Sequence, residues 1–422
     1  MRTYSPTACA LAASLAVAAC KSSTDSAPPS GPCGVPHDTS ATTQTLVAGD
    51  TTFAVAFYPP ALAAEGEGDN AVFSPYGASA VLTMLDVGAA GETDAQLRTV
   101  LGLPDNGAKL APAFSSVACR DVTDGSSNGN QLSMANALWA QSGDAFEAQF
   151  LSVLSDGYAA PLEQVDFKDP DASTATINAW VSEETGAQIP AVLQPADVAG
   201  GTALVVVNAT YFNGIWDVGF DPKNTFPQLF TLADGDMIMP PTMSGNVEMG
   251  IGGVALGDQT LAVYELPYKG RAMAMDFLVP SMTLTDAEAN LTPAALEAAL
   301  KSLQAPTEVA LLLPKFSFNT QIDLKSVLFS MGVTDFFDKT KADLSGIDGK
   351  KDLYATVVVQ DALVEVNEHG TVAAAATAAG VGGLAIEEPT PVAIDVPFLF
   401  LIRDTRNGSI LFMGRVGDPL AD

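Results

Sequence analysis

The chain has 422 residues, with 19 Lys and Arg against 49 Asp and Glu and only two histidines, so its formal charge is −30. A field of that sign repels nucleic acid and anionic membrane surfaces as main partners, and two histidines argue against a His-rich metal site or a His-dependent catalytic centre. Hydrophobic residues make up 48% and charged residues 16%, which marks a core-forming polypeptide rather than a disordered acidic tail.

Arg2 and the apolar run at 7–19 read as a secretory leader, too short for a bilayer-spanning helix of about 20 apolar residues. The run ends in Val17-Ala18-Ala19-Cys20, which resembles the lipobox of bacterial lipoproteins. That resemblance implies removal of residues 1–19 and a lipid on Cys20; the alternative is an ordinary signal peptide cut beside a cysteine. Lys21 then suits onward export to an outer membrane. Ser, Thr, Pro and Gly dominate residues 21–40, so 20–48 read as a flexible tether. No linker interrupts 49–422, which reads as one large domain. Cys33 and Cys119 remain; in an exported protein they can pair or stand as two free thiols.

Within that domain helical periodicity comes early. It marks 78–87, with Val81, Leu82, Met84 and Leu85 on one side, then 92–101, 145–154 and 173–184. Strand-like runs dominate later, at 203–212, 261–266, 272–279, 308–313, 354–366, 396–402 and 410–416, with helices predicted at 293–303 and 322–331. Helices first and strands later point to an α+β domain rather than an alternating parallel sheet.

The usual catalytic and binding motifs are missing. Gly250-Ile251-Gly252-Gly253 lacks the Lys-Ser/Thr of a phosphate loop and reads as a hairpin turn. Asp234 and Asp236 flank Gly235 without EF-hand spacing. His369 has no second histidine nearby and no Gly-x-Ser-x-Gly elbow accompanies it, so it reads as a surface histidine. Nothing here assigns a catalytic group, a metal or a cofactor.

One segment is chemically odd. From Thr371 to Ile386 the chain carries no charge and consists almost wholly of Ala, Gly, Thr and Val. As a strand, Thr371, Ala373, Ala375, Thr377 and Ala379 would face one side, and Val372, Ala374, Ala376 and Ala378 the other. Side chains this small let a strand enter between two existing strands, where a Leu or Phe would overpack the site by about 1–3 kcal/mol. Residues 371–384 would span roughly 46 Å at about 3.3 Å per residue. Inserting them would gain on the order of ten kcal/mol in backbone hydrogen bonds, so a chain holding the segment outside its sheet is metastable.

A series of motifs then carries a resemblance. Asn70-Ala71-Val72-Phe73-Ser74-Pro75 is followed by Gly88-Ala89-Ala90-Gly91-Glu92-Thr93, Asn136-Ala137-Leu138-Trp139 and Ile177-Asn178-Ala179-Trp180-Val181. Next come Asn208-Ala209-Thr210-Tyr211-Phe212-Asn213-Gly214-Ile215-Trp216 with Phe220, Glu265-Leu266-Pro267-Tyr268, Leu313-Pro314-Lys315-Phe316 and Ala342-Asp343-Leu344-Ser345-Gly346. Val366-Asn367-Glu368-His369-Gly370-Thr371, Pro397-Phe398-Leu399-Phe400 and Leu411-Phe412-Met413-Gly414-Arg415-Val416 close the series. Over residues 51–419 the chain resembles the serpins. The resemblance implies an α+β serpin fold: a large mixed β-sheet with further sheets, helices mainly in the N-terminal half, and an exposed reactive-centre loop at about 370–391.

It also implies a function. In serpins a proteinase cuts the loop and forms an acyl-enzyme, and the loop then inserts into the central sheet and carries the enzyme away distorted. Carried over, Glu368, His369, Gly370, Thr371, Val372, Ala373, Ala374, Ala375 and Ala376 form the hinge. The reactive bond falls at Leu384–Ala385, with Val381, Gly383 and Ile386 as alternative cleavage points. Leu384 suits chymotrypsin-like, elastase-like or subtilisin-like serine proteinases and opposes trypsin-like ones. Lys315 and Glu368 match a pair where the loop enters the sheet, with Trp216 packed beneath. Ser74, Asn208 and Gln360 match a polar cluster under the sheet centre. Gln360 stands where many members have histidine, Gly77 where they have serine, and Val372 where an acidic hinge residue is common. The implied partner is a target proteinase, with nucleic acid excluded, the membrane reached only through the lipid, and the protein a monomer. The alternatives are a cross-class inhibitor of papain-like cysteine proteinases, or a non-inhibitory binding lipoprotein on the same fold.

Overall fold

The computed structural model describes residues 41–66, 69–371 and 389–421. The leader, Cys20, residues 21–40 of the tether, the hinge residues 372–376 and the bond Leu384–Ala385 lie outside the described residues. Along the chain come α1 (Ala41–Glu65), β1 (Asn70–Phe73), α2 (Pro75–Asp86), α3 (Gly91–Leu101), α4 (Gly107–Gly125), β2 (Gln131–Gln141), α5 (Ala148–Val153), β3 (Leu162–Val165), α6 (Pro170–Glu184), β4 (Leu204–Ile215), β5 (Thr225–Pro227), β6 (Phe230–Thr231), β7 (Met237–Ile238) and β8 (Pro241–Leu256). The second half adds β9 (Gln259–Pro267), β10 (Met273–Pro280), α7 (Leu284–Asn290), α8 (Pro293–Lys301), β11 (Thr307–Pro314), β12 (Phe316–Asp323), α9 (Leu324–Ser330), α10 (Ser345–Asp348), β13 (Ala355–Val366), β14 (Gly370–Thr371), β15 (Thr390–Ala393), β16 (Phe398–Asp404) and β17 (Ile410–Val416).

Two mixed sheets organise these elements. The sheet that matters for function runs β12-β13-β4-β2-β3, with β14 added to β4. The other runs β1-β17-β16-β10-β9-β8-β11-β15, with β5 on β8. Strand β4 is central and covered on both faces. Leu204, Val206 and Phe212 point into the main core, whereas Val205, Val207 and Ala209 join Ile177 and Val181 of α6 in a second, smaller core. A strand buried on both sides loses polar alternation, which explains the continuous run Leu204-Val205-Val206-Val207. On β12, by contrast, burial alternates residue by residue, with Phe316, Phe318, Thr320 and Ile322 inward.

Helix starts follow local chemistry. Ser74, Asp169 and Thr292 each accept a hydrogen bond from a first-turn N–H, and each is followed by proline, whose fixed φ suits the first helical position. Three expectations need correction. Residues 41–48, placed in the tether by composition, belong to α1, which buries Leu46, Phe53, Phe57 and Tyr58. The helix predicted at 322–331 begins only at Leu324, because Ile322 pairs with Gln360 in the sheet and Asp323 caps the helix through Lys325 N–H. Gly250-Ile251-Gly252-Gly253 is no turn but lies inside β8; a side chain at Gly252 would run into Ser302 and Leu303 at the end of α8. Helix α4 has no counterpart among the predicted elements: Pro112 lies inside it, and Ser115, Ser116 and Asp121 are buried among its apolar residues.

Candidate functional site

The site is a fork in the main sheet. Strands β13 and β4 pair in parallel from Ala355↔Leu204 to Leu363↔Tyr211. Beyond Tyr211, β4 continues to Ile215, but there its partner is β14, antiparallel, with Gly370 opposite Ile215 and Thr371 opposite Gly214. A tight turn, closed by Asn367 and Gly370 hydrogen-bonding each other's backbone, folds the chain from β13 into β14. Gly370 has φ 148° and sits so close to β4 that a Cβ there would fall on the Gly214 carbonyl, so glycine is required on both counts.

Side chains secure the turn. Lys315 Nζ lies 2.9 Å from Glu368 Oε2, and the Thr225 hydroxyl donates to Glu368 Oε1 at 2.7 Å. Burial pushes the Glu368 carboxyl up, but the bonds from Lys315 and Thr225 outweigh it and hold the group below the usual Glu range. The Trp216 indole donates to the Asn367 carbonyl at 2.9 Å and stacks on Tyr268 with centroids 4.6 Å apart. Tyr268 and Thr371 share a buried hydroxyl–hydroxyl bond of 2.7 Å. His369, expected at the surface, is half-buried; its carbonyl accepts from Trp216 N–H at 2.9 Å.

Lower in the sheet, Ser74, Asn208 and Gln360 are brought together and all are fully buried. Gln360 lies opposite Asn208 across the β13–β4 ladder, and its Nε2 donates to Asn208 Oδ1 at 2.8 Å and to the Ser74 carbonyl at 2.7 Å. Gln360 Oε1 accepts from Ser74 N–H at 3.0 Å, and Asn208 Nδ2 donates to Asn136 Oδ1 at 2.7 Å. Glutamine thus uses donor and acceptor together. Gly77 fits the same packing, because any side chain there would collide with the Asn208 amide.

Several participants went unassigned in the sequence. Asn136 and Tyr268 lay inside quoted motifs without a role, and their positions gave the only signal. Thr225 had none. Cys119 is disulfide-bonded, and the other three cysteines lie outside the described residues.

The family model for serpins (serine protease inhibitors) matches residues 48–419. This chain belongs to the serpin family. An uncharacterized serpin-like protein from the archaeon Methanosarcina acetivorans is 35% identical over 357 residues, 84% of this chain and 82% of that protein. Human glia-derived nexin is 34% identical, covering 83% of this chain and 88% of its own length. A crystal structure of native protease nexin-1 with heparin superposes with a TM-score of 0.79 at 30% identity, over 89% of this chain and all of that one. The serpin fold expected from the motifs is therefore the fold of this chain, with its mixed main sheet and mainly N-terminal helices.

Proposed function

We propose that this serpin is an irreversible, single-use inhibitor of serine proteinases that cut after an aliphatic residue. The observation that carries the reading is the fork: Gly370 and Thr371 already pair with the end of β4, in line with the positions that the following residues would fill. Extending that register would set Thr377 opposite Asn208 and Val381 opposite Leu204, so residues 371–381 would cover the length of β4. Both faces of β4 are packed, and the small side chains of that segment suit entry between β4 and β13. One parallel ladder would be replaced by two antiparallel ones, which are slightly more stable per residue.

In this reading the proteinase serine attacks the Leu384 carbonyl. The Leu384–Ala385 bond breaks, the Ala385 amine leaves, and Leu384 stays esterified to the enzyme. Insertion then outruns hydrolysis. The serpin supplies bait and stored energy, not a catalytic group. Before insertion, Gln360 and Asn208 hydrogen-bond across the line of entry; afterwards the Thr377 hydroxyl would stand between them. Export and anchoring through a lipid on Cys20 are part of the proposal and are supported by the leader sequence alone.

Incubation with chymotrypsin, pancreatic elastase or subtilisin should yield a complex that survives denaturant, with release of a C-terminal fragment beginning at Ala385 by mass. Clean cleavage with full recovery of proteinase activity would overturn the inhibitor reading.

A further inference from the structure

Helix α4 joins two parts of the molecule that strand insertion would separate. A strand entering between β4 and β13 pushes β4, β2 and β3 about 5 Å away from β13. The end of α4 goes with β2: the Ser126 hydroxyl accepts from Leu132 N–H at 3.2 Å, and a Cβ on Gly125 would strike the Leu132 side chain. Helix α2 and strand β17 stay with β13, because Ser74 bonds Gln360 through its N–H and carbonyl, and the Leu411 carbonyl through its hydroxyl. Asp121, one turn before the end of α4, reaches across that line. Its Oδ1 accepts from Asn407 Nδ2 at 2.6 Å, in the turn between β16 and β17. Asn407 is itself fixed there, its Oδ1 taking Ser409 N–H at 2.8 Å and its own N–H donating to Asp404 Oδ1.

The surroundings of Asp121 are buried and short of donors. Asp121 and Asp404 are fully buried and Asp50 nearly so. One carboxylate oxygen of each, with the Tyr76 and Ser409 hydroxyls, has no hydrogen-bond partner among the described residues. The titratable groups that act on Asp121 are Asp50 from α1, Tyr76 from α2, and Asp404 and Arg406 from the β16–β17 turn. Arg120, its neighbour on α4, acts on Asp404 and Arg406, and β2 brings no charge. Asp86 and Tyr158 meet α4 at its other end, at Gly107. A proton on Asp121 removes its repulsion with the other carboxylates and gives one of the unpaired oxygens a donor. We propose that Asp121 is a proton-dependent tie on the main sheet: protonated, it holds α4 to the β16–β17 turn and keeps the sheet shut, and ionised, it repels Asp404 and lets α4 leave with β2. The proposal deepens the inhibitor reading and rests on it for strand entry. Burial, then the Asp404 charge, pushes Asp121 up to about 8, so between its ordinary value and about 8 opening releases a proton and becomes easier as pH rises.

The probe is a synthetic peptide of residues 371–384, acetylated and amidated so that it carries no charge at any pH. Its rate of uptake by the intact protein is followed as the growing fraction that melts higher. That rate should rise about fivefold or more from about pH 6 to about pH 8 and level off above, where Asp121 is ionised before opening as well. Asp121→Asn cannot ionise and keeps an acceptor for Asn407; its uptake should be flat over this range and close to the wild type at about pH 6. Asp404→Asn keeps the acceptor for the Arg406 and Asn407 N–H groups but removes the charge beside Asp121, so its rise should level off at lower pH. A wild-type rise below about fivefold, an equal rise in Asp121→Asn, or an unmoved plateau in Asp404→Asn would overturn the proposal. A wild type that takes up no peptide at any pH fails strand entry itself and takes this proposal with it.

Discussion

Strand β13 is held near β4 by two regions built from different chemistry. At the fork the contacts are an ion pair between a third-exposed lysine and a buried carboxylate, a hydroxyl bond to the same carboxylate, the Trp216 indole on the Asn367 carbonyl, the buried Tyr268–Thr371 hydroxyl bond and a two-residue strand. At the sheet centre they are neutral amides and a serine, fully buried, with Gln360 bonding Asn208 across the ladder. The Lys315 ammonium is reached by water and can exchange its partner for solvent, whereas the Glu368 carboxylate is buried and keeps the Thr225 hydroxyl. A buried amide network has no solvent to turn to, and each group left unpaired costs about 1–3 kcal/mol. Opening is therefore easier at the fork, where one partner of the ion pair reaches water, than at the centre, which fits a sheet that admits a strand from one end only after a trigger.

The test with the largest expected effect asks whether the sheet gains by taking the segment in. Protein nicked in the loop should melt higher than intact protein by about 10 °C or more; equal melting temperatures in calorimetry would end the stored-energy account. Next comes the centre. Gln360→Ala leaves Ser74 and Asn208 groups unpaired and should lower intact stability by about 3 kcal/mol in urea unfolding. Its effect on nicked protein should be smaller, because insertion already parts Gln360 from Asn208. At the fork, Glu368→Gln keeps an acceptor for the Thr225 hydroxyl and should cost about 1–2 kcal/mol at pH 7, less than Gln360→Ala, and should speed complex formation. A loss as large as that of Gln360→Ala would erase the contrast between the two regions.

The pH dependence gives the most local test. The Glu368 carboxyl is held below its ordinary value, so its contribution is full at neutral pH and disappears as pH falls through that lowered value. Glu368→Gln should remove this acid limb. Beneath the helices the sign reverses. Burial, only partly offset by the Ser79 hydroxyl, pushes Asp50 up to about 7. Burial, then the Asp404 charge, pushes Asp121 up to about 8. These groups favour the folded chain while protonated, so stability should decline as pH rises from about 4 towards 8. Asp50→Asn should flatten that slope by roughly 1.4 kcal/mol per pH unit between its ordinary and its folded value.

Sequence alone carried the expected fold far. The Asn208–Trp216 and Val366–Thr371 motifs, in order with the others, named the family whose fold the chain has, and strand 410–416 was placed to the residue. Periodicity worked where one face of an element meets water, as on β12. It failed where buried polar groups and an internal proline break the pattern, as in α4, and where the glycines of β8 admit a neighbouring helix rather than make a turn.

What the sequence by itself determined was the charge, the small uncharged segment and part of the set of residues that meet at the fork and the centre. Only the tertiary structure decided how they act. It set Gln360 opposite Asn208, gave Glu368 a second partner in Thr225 and aimed the Thr371 hydroxyl at Tyr268. Composition and spacing describe one chain segment at a time. These contacts join residues far apart in sequence, up to 286 positions for Gln360 and Ser74, and register across a sheet is fixed only when all its strands are packed together.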